Sequence, residues 1–118
     1  MIFVDTSAWF ACVVPSDPNY AAATRWLGEN SEPLLTTDYI VDETLTLLQR
    51  RGETARAQRL GEHLFTGGLA RISYLNEVDI FRAWETFRQK VVIEKLKITH
   101  AFAFDRHFRQ FGSVVVVP

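Results

Sequence analysis

The 118-residue chain predicts a three-layer α/β domain, with a central, mostly parallel sheet flanked by helices. Three observations lead there. Short apolar runs occur at Ile2-Phe3-Val4, Leu34-Leu35-Thr36, Ala101-Phe102-Ala103-Phe104 and residues 114–117, each of a length suited to a strand buried on both faces. Stretches with helical periodicity separate most of them, and parallel neighbours need connections of that size. Two of the runs end directly in an aspartate, Asp5 and Asp105. Right-handed crossovers then bring two carboxylates to one edge of one sheet. Folding does not require that arrangement, so it asks for a functional explanation.

The elements follow in order. The first strand runs into Asp5, and Thr6 or Ser7 is expected to cap a helix opening with Ala8, Trp9 and Phe10. Pro15-Ser16-Asp17-Pro18 interrupts the pattern. Asp17 followed by Pro18 reads as the cap and first-turn proline of a helix over residues 19–29, with Tyr20, Ala23, Trp26 and Leu27 on its apolar side. After the strand at Leu34, Thr37 or Asp38 caps a helix over residues 38–51, which Gly52 ends. At 100° per residue, Ile40, Val41, Leu47 and Leu48 form its apolar stripe. Glu43 falls at the border of that stripe and Asp42 on the polar side. Residues 53–65 read as a helix closed by Gly67-Gly68, and residues 70–75 as a strand. Asn76 caps a helix running to about Lys90, with Val78, Phe81, Ala83, Trp84 and Phe87 apolar, and residues 91–96 read as helix again. The strand at residues 101–104 leads through Asp105 into a short turn or helix at 108–111, Gly112 and the last strand. With no repeat or linker, residues 1–118 form a single domain.

Composition narrows the function classes. At 47% hydrophobic residues the chain can fill a core, and none of its apolar runs is long enough to span a bilayer. The strand pattern begins at once, without a basic lead, so a cytoplasmic setting is expected. Cys12 is the only cysteine, which fits a reducing compartment; beside Ala11 and Val13 it reads as a small buried hydrophobe. The net charge of −1 is unevenly spread: residues 1–49 hold seven acids and one base, and residues 50–118 hold twelve bases and seven acids. Solvated helix faces account for that, and so does a basic surface beside an acidic pocket, suited to a phosphate backbone.

Clustered carboxylates repel one another unless a cation neutralises them. Magnesium takes oxygen ligands and binds through one or two carboxylates plus substrate phosphates. Asp5, Asp105 and Glu43 are therefore the candidates for a metal-dependent phosphodiesterase site. A glutamate at the border of a core stripe is also accounted for by snorkelling or a salt bridge. Receiver domains place acids at strand ends too, but they want a lysine after a late strand, and none lies there. No glycine-rich phosphate loop and no zinc spacing occurs, and His63, His100 and His107 are scattered. His107 follows Asp105 by two and either approaches the site or orients the turn. Thr6 and Ser7 read as caps, or as hydroxyls orienting Asp5 or a metal water. Trp9, Trp26 and Trp84 read as core.

Three stretches also resemble a known family. Phe3-Val4-Asp5-Thr6-Ser7-Ala8-Trp9, Thr37-Asp38-Tyr39-Ile40-Val41-Asp42-Glu43-Thr44 and Ile98-Thr99-His100-Ala101-Phe102-Ala103-Phe104-Asp105-Arg106-His107-Phe108 are similar to the motifs of PIN domains, above all VapC-type toxin ribonucleases, in the family's order. The resemblance implies a PIN-like fold and a Mg2+- or Mn2+-dependent endoribonuclease acting on RNA. It also implies a homodimer and a cognate antitoxin protein that blocks the site. It makes Asp5, Glu43 and Asp105 the catalytic and metal-binding acids. In one place the chain departs from the pattern. Family members usually carry another aspartate, in a Ser-x-x-Asp-type helix start before the last of these motifs, whereas Arg88-Gln89-Lys90 here runs directly into Val91-Val92-Ile93-Glu94. Glu94 lies too far along the expected helix to replace that acid. A catalytically impaired PIN-fold module that binds RNA or protein is accordingly the alternative reading.

Overall fold

The computed structural model describes residues 1–85, 100–102 and 115–118. Among them, five strands form one sheet in the order β3-β2-β1-β4-β5: β1 (Ile2–Val4), β2 (Leu34–Thr37), β3 (Arg71–Ser73), β4 (His100–Phe102) and β5 (Val115–Val117). All four pairings are parallel, with Phe3 aligned on Leu35 to one side and on Ala101 to the other. The helices are α1 (Thr6–Val13), α2 (Tyr20–Glu29), α3 (Asp38–Arg50), α4 (Thr54–Phe65) and α5 (Glu77–Glu85).

The strand order sets the layers. β1 to β2 and β2 to β3 are steps in the same direction, so right-handed crossovers put α1 to α4 on one face. In agreement, α1 packs against α2 and α3, and α3 against α4. The step from β3 to β4 runs in the opposite direction, past β2 and β1, and the same rule assigns α5 to the other face. A central strand covered on both sides has no polar face, and Ile2, Phe3 and Val4 are all buried. Trp9, Leu48 and Phe102 complete the centre of the core. Trp26 packs on Phe102 with ring centroids 4.2 Å apart, so Trp9 and Trp26 belong to the core. Trp84 carries no described side chain.

Two threonines lie fully buried at the end of β2, and both are satisfied. Thr36 Oγ1 donates to the Val4 carbonyl (3.1 Å) and accepts from Trp9 Nε1 (3.3 Å), tying β1, β2 and α1 together. Thr37 caps α3 by accepting from the Ile40 N–H (3.1 Å). Gly52 takes φ +76° just past α3, which only glycine does without strain.

Some boundaries differ from the expectation, each for a local reason. The cap of α1 is Asp5 itself, not Thr6 or Ser7: Asp5 holds the extended backbone of a cap and its carboxylate accepts from the Thr6 N–H. Asp17 works one turn ahead of α2. Its side chain accepts from the Asn19 N–H and its carbonyl from the Tyr20 N–H, and the helix begins at Tyr20. β3 is shorter than expected and half-exposed, as suits an edge. The expected helical residues 86–96, strand residues 103–104 and turn at 108–111 lie outside the described residues.

Candidate active site

Asp5 stands where the first strand ends and the first helix begins, and is 3% exposed. Its backbone N–H donates to the Phe102 carbonyl (3.2 Å), which binds this end of β1 to the end of β4. Its carbonyl accepts from the Ala8 and Trp9 N–H groups. Its carboxylate is oriented from two sides: the Thr6 N–H donates to Oδ1 (2.7 Å) and Ser7 Oγ to Oδ2 (3.1 Å). Ser7 thus takes the orienting role that its position predicts. Thr6 differs: its Oγ1 is buried without a hydrogen-bond partner, the one such side-chain atom among the described residues.

The sheet explains why this end is the functional one. β1 connects towards β2 on one side, while its other neighbour, β4, comes later in the chain and stands on the opposite side of β1 in the sheet. Chain direction diverges between β1 and β4, and open parallel sheets bind ligands in the crevice outside the carboxyl ends at that point. Asp5 sits at its mouth. Asp105 follows β4 by three residues but lies outside the described residues, as does His107.

Glu43 is placed by α3, which starts at the same carboxyl edge with no spacer after β2. Five residues in, it stands about 8 Å along the helix axis from Asp38 at 1.5 Å per residue. α3 packs beside α1, whose cap is Asp5. Glu43 is half-buried and Asp42 exposed, as the stripe predicts. Among the described residues Glu43 has no hydrogen bond and no ion pair, so the salt-bridge explanation is not realised there. Asp5 and Glu43 therefore occupy neighbouring elements that start from one sheet edge. Among the described residues, no three His, Cys, Asp or Glu side chains gather into a metal-holding group.

Other residues have their own contacts. Arg50 and Arg51 lie at the far end of α3, about 18 Å from its start by helical rise. Arg51 stacks over the Phe10 ring (5.7 Å), and Arg56 pairs with Glu53. Burial pushes the Cys12 thiol up to about 12, consistent with the packing role expected of it. A cavity of about 240 Å³ opens between α1, α2 and α4, lined by the apolar Trp9, Val13, Leu27 and Leu60 and by Arg56, Arg59 and His63. Sequence reasoning missed Asp38, whose carboxylate accepts from the Leu75 N–H (3.0 Å) and ties the β3–α5 link to the start of α3. Its only sequence signal was competition with Thr37 for the cap.

The PIN domain family matches residues 2–113. The chain is 30% identical to the 23S rRNA-specific endonuclease VapC20 of Mycobacterium tuberculosis (strain CDC 1551 / Oshkosh), over 100% of this chain and 99% of the relative. The protein of the same description from strain ATCC 25618 / H37Rv matches equally. The crystal structure of Mycobacterium tuberculosis VapC20, described as a sarcin–ricin loop cleaving toxin, superposes with a TM-score of 0.86 at 29% identity, each chain covered completely. The sequence alignment runs over 132 residues against 118 in this chain, so the relative carries internal residues without a counterpart here.

Proposed function

The chain belongs to the PIN-domain family and is an endoribonuclease of the VapC toxin type; from that premise we propose that it hydrolyses RNA phosphodiester bonds with a divalent cation, Mg2+ or Mn2+, held by Asp5, Glu43 and Asp105. The observation that carries this reading is a buried carboxylate, Asp5, fixed by two donors at the switch point of a parallel sheet. The donor set fits a hard cation, being carboxylate and hydroxyl oxygens without cysteine. The orphaned Thr6 hydroxyl adds a buried polar atom that a water of hydration would satisfy. When bound, such a cation lowers the pKa of a water and offsets charge developing on the phosphoryl group.

The chain's own residues prepare that chemistry. Ser7 and the Thr6 N–H hold the Asp5 carboxylate in one orientation, so it does not have to reorganise when substrate arrives. α3 brings a second carboxylate, Glu43, from the adjoining element. In the reaction a water oxygen bonds to phosphorus as the bridging P–O bond breaks, leaving a phosphate on one fragment and a hydroxyl on the other. Full-length likeness to a nuclease favours this reading over the impaired binding module. The acid missing between Lys90 and Val91 then points to weaker metal affinity and slower turnover than a complete site gives.

The partners in this reading are an RNA substrate, a cognate antitoxin protein and a second copy of the chain as homodimer. Ribosomal RNA is the first substrate to test, because the relative acts on 23S rRNA. Arg50 and Arg51, at the far end of α3 from its cap, serve RNA as backbone contacts, which add affinity but little sequence choice. The groove between α1, α2 and α4, apolar with Arg56 and Arg59 among its lining residues, suits an acidic amphipathic segment of the antitoxin. No helix among the described residues is long and apolar enough to cross a membrane. A cytoplasmic place is part of the same proposal, as expected for a VapC-type toxin. Incubating the purified chain with 23S rRNA in Mg2+ and in EDTA tests the reading: discrete cleavage only with the cation is expected, and cleavage that persists in EDTA contradicts it.

A further inference from the structure

Thr6 follows Asp5 directly and is the first residue of α1. It is 7% exposed, and among the described residues its hydroxyl has no hydrogen-bond partner. The other buried threonines return their hydroxyls to the chain: Thr36 to Val4, Thr44 to Ile40, and Thr37 as acceptor at the cap of α3. Thr44 uses the carbonyl one turn earlier in its own helix, and a first-turn residue such as Thr6 has no such carbonyl. An unsatisfied buried hydroxyl weakens the fold, and valine has the same shape without that cost. The rarity of such groups makes each one a question about what it meets. Here the group is adjacent in sequence to the carboxylate at the switch point, whose two oxygens already receive donors from Thr6 N and Ser7 Oγ.

We propose that Thr6 is a positioning residue whose Oγ1 accepts a hydrogen bond from a water in the hydration shell of the divalent cation at Asp5. The inference rests on the metal-dependent reading above. Magnesium keeps several of its waters, and those waters are donors that need acceptors. The two neighbouring hydroxyls then divide the work. Ser7 orients the carboxylate, and Thr6 orients the water beside it.

Thr6→Val and Thr6→Ser test the proposal with two readouts that do not depend on cleavage. Calorimetric melting in EDTA reports whether the hydroxyl has a partner in the metal-free chain. Thr6→Val is expected to melt at or above the wild-type temperature, and a lower melting temperature, or failure to fold, overturns the proposal. Titration with MgCl2 reports the bound state. Thr6→Val is expected to bind about tenfold more weakly, the lower end of what losing an outer-shell partner costs a metal site. Thr6→Ser, which keeps the hydroxyl, is expected to bind as the wild type does. Equal titrations of Thr6→Val and wild type overturn the role of Thr6 alone. A wild-type chain that takes up no cation overturns the metal-dependent reading and this inference with it.

Discussion

Asp5 has two tasks, and substitutions separate them. Its carboxylate caps α1 and, in the proposed mechanism, ligates the cation. Asp5→Ala should abolish metal-dependent cleavage and lower stability by about 1 kcal/mol through loss of the cap, leaving the fold intact by circular dichroism. Glu43 presents the opposite case, a half-buried carboxylate with no partner among the described residues. Glu43→Gln should weaken magnesium binding without destabilising the metal-free protein, and an unchanged titration curve would remove Glu43 from the site. Cys12 gives a pH dependence. Its folded pKa of about 12 lies above the ordinary 9.0, so the unfolded chain loses the proton first as pH rises. Stability is unaffected below about pH 9 and falls between pH 9 and 12, by at most about 1.4 kcal/mol per unit. Urea melts at pH 8 and pH 10 should show that decline, and Cys12→Ala should flatten it.

At the scale of elements, the site depends on helices that begin where strands end. Thr37 is fully buried and caps α3, and Thr37→Ala should cost about 1 kcal/mol in urea unfolding. Because α3 carries Glu43, the same variant should also lose cleavage rate, and full activity at reduced stability would show that the cap does not position Glu43. Most element types were legible in the sequence, because apolar runs and helical stripes are local signals. The stripe that put Glu43 at a border and Asp42 outside matches the observed burial. The cap of α1 was misread because an aspartate, a threonine and a serine stand in a row, and only backbone conformation decides among them. Thr36 reads as a strand residue in the sequence, but its bonds to Val4 and Trp9 join positions about thirty residues apart that no local pattern connects. Asp38 was hidden for the same reason, its partner Leu75 belonging to a distant link.

For the whole molecule, topology turns a local motif into a site. The reversal of connection between β1 and β4 makes Asp5 the mouth of a crevice, whereas the same three residues at a sheet edge would be an ordinary helix start. Parallel order was legible from alternating strands and helices. The order of strands was not, because sequence spacing does not say which neighbour β4 chooses. The relative carries internal residues without a counterpart in this chain, and the junction expected to lack a segment, Lys90–Val91, lies outside the described residues. Asp5 is the residue on which the metal-dependent ribonuclease reading turns. Cleavage of RNA by the wild type and Asp5→Asn, side by side in Mg2+, tests it most directly. Asparagine retains an oxygen for the Thr6 N–H and so keeps the cap, while removing the charge a cation needs. The folded variant is expected to leave RNA intact while the wild type cuts it. Cutting by Asp5→Asn at the wild-type rate would contradict that reading.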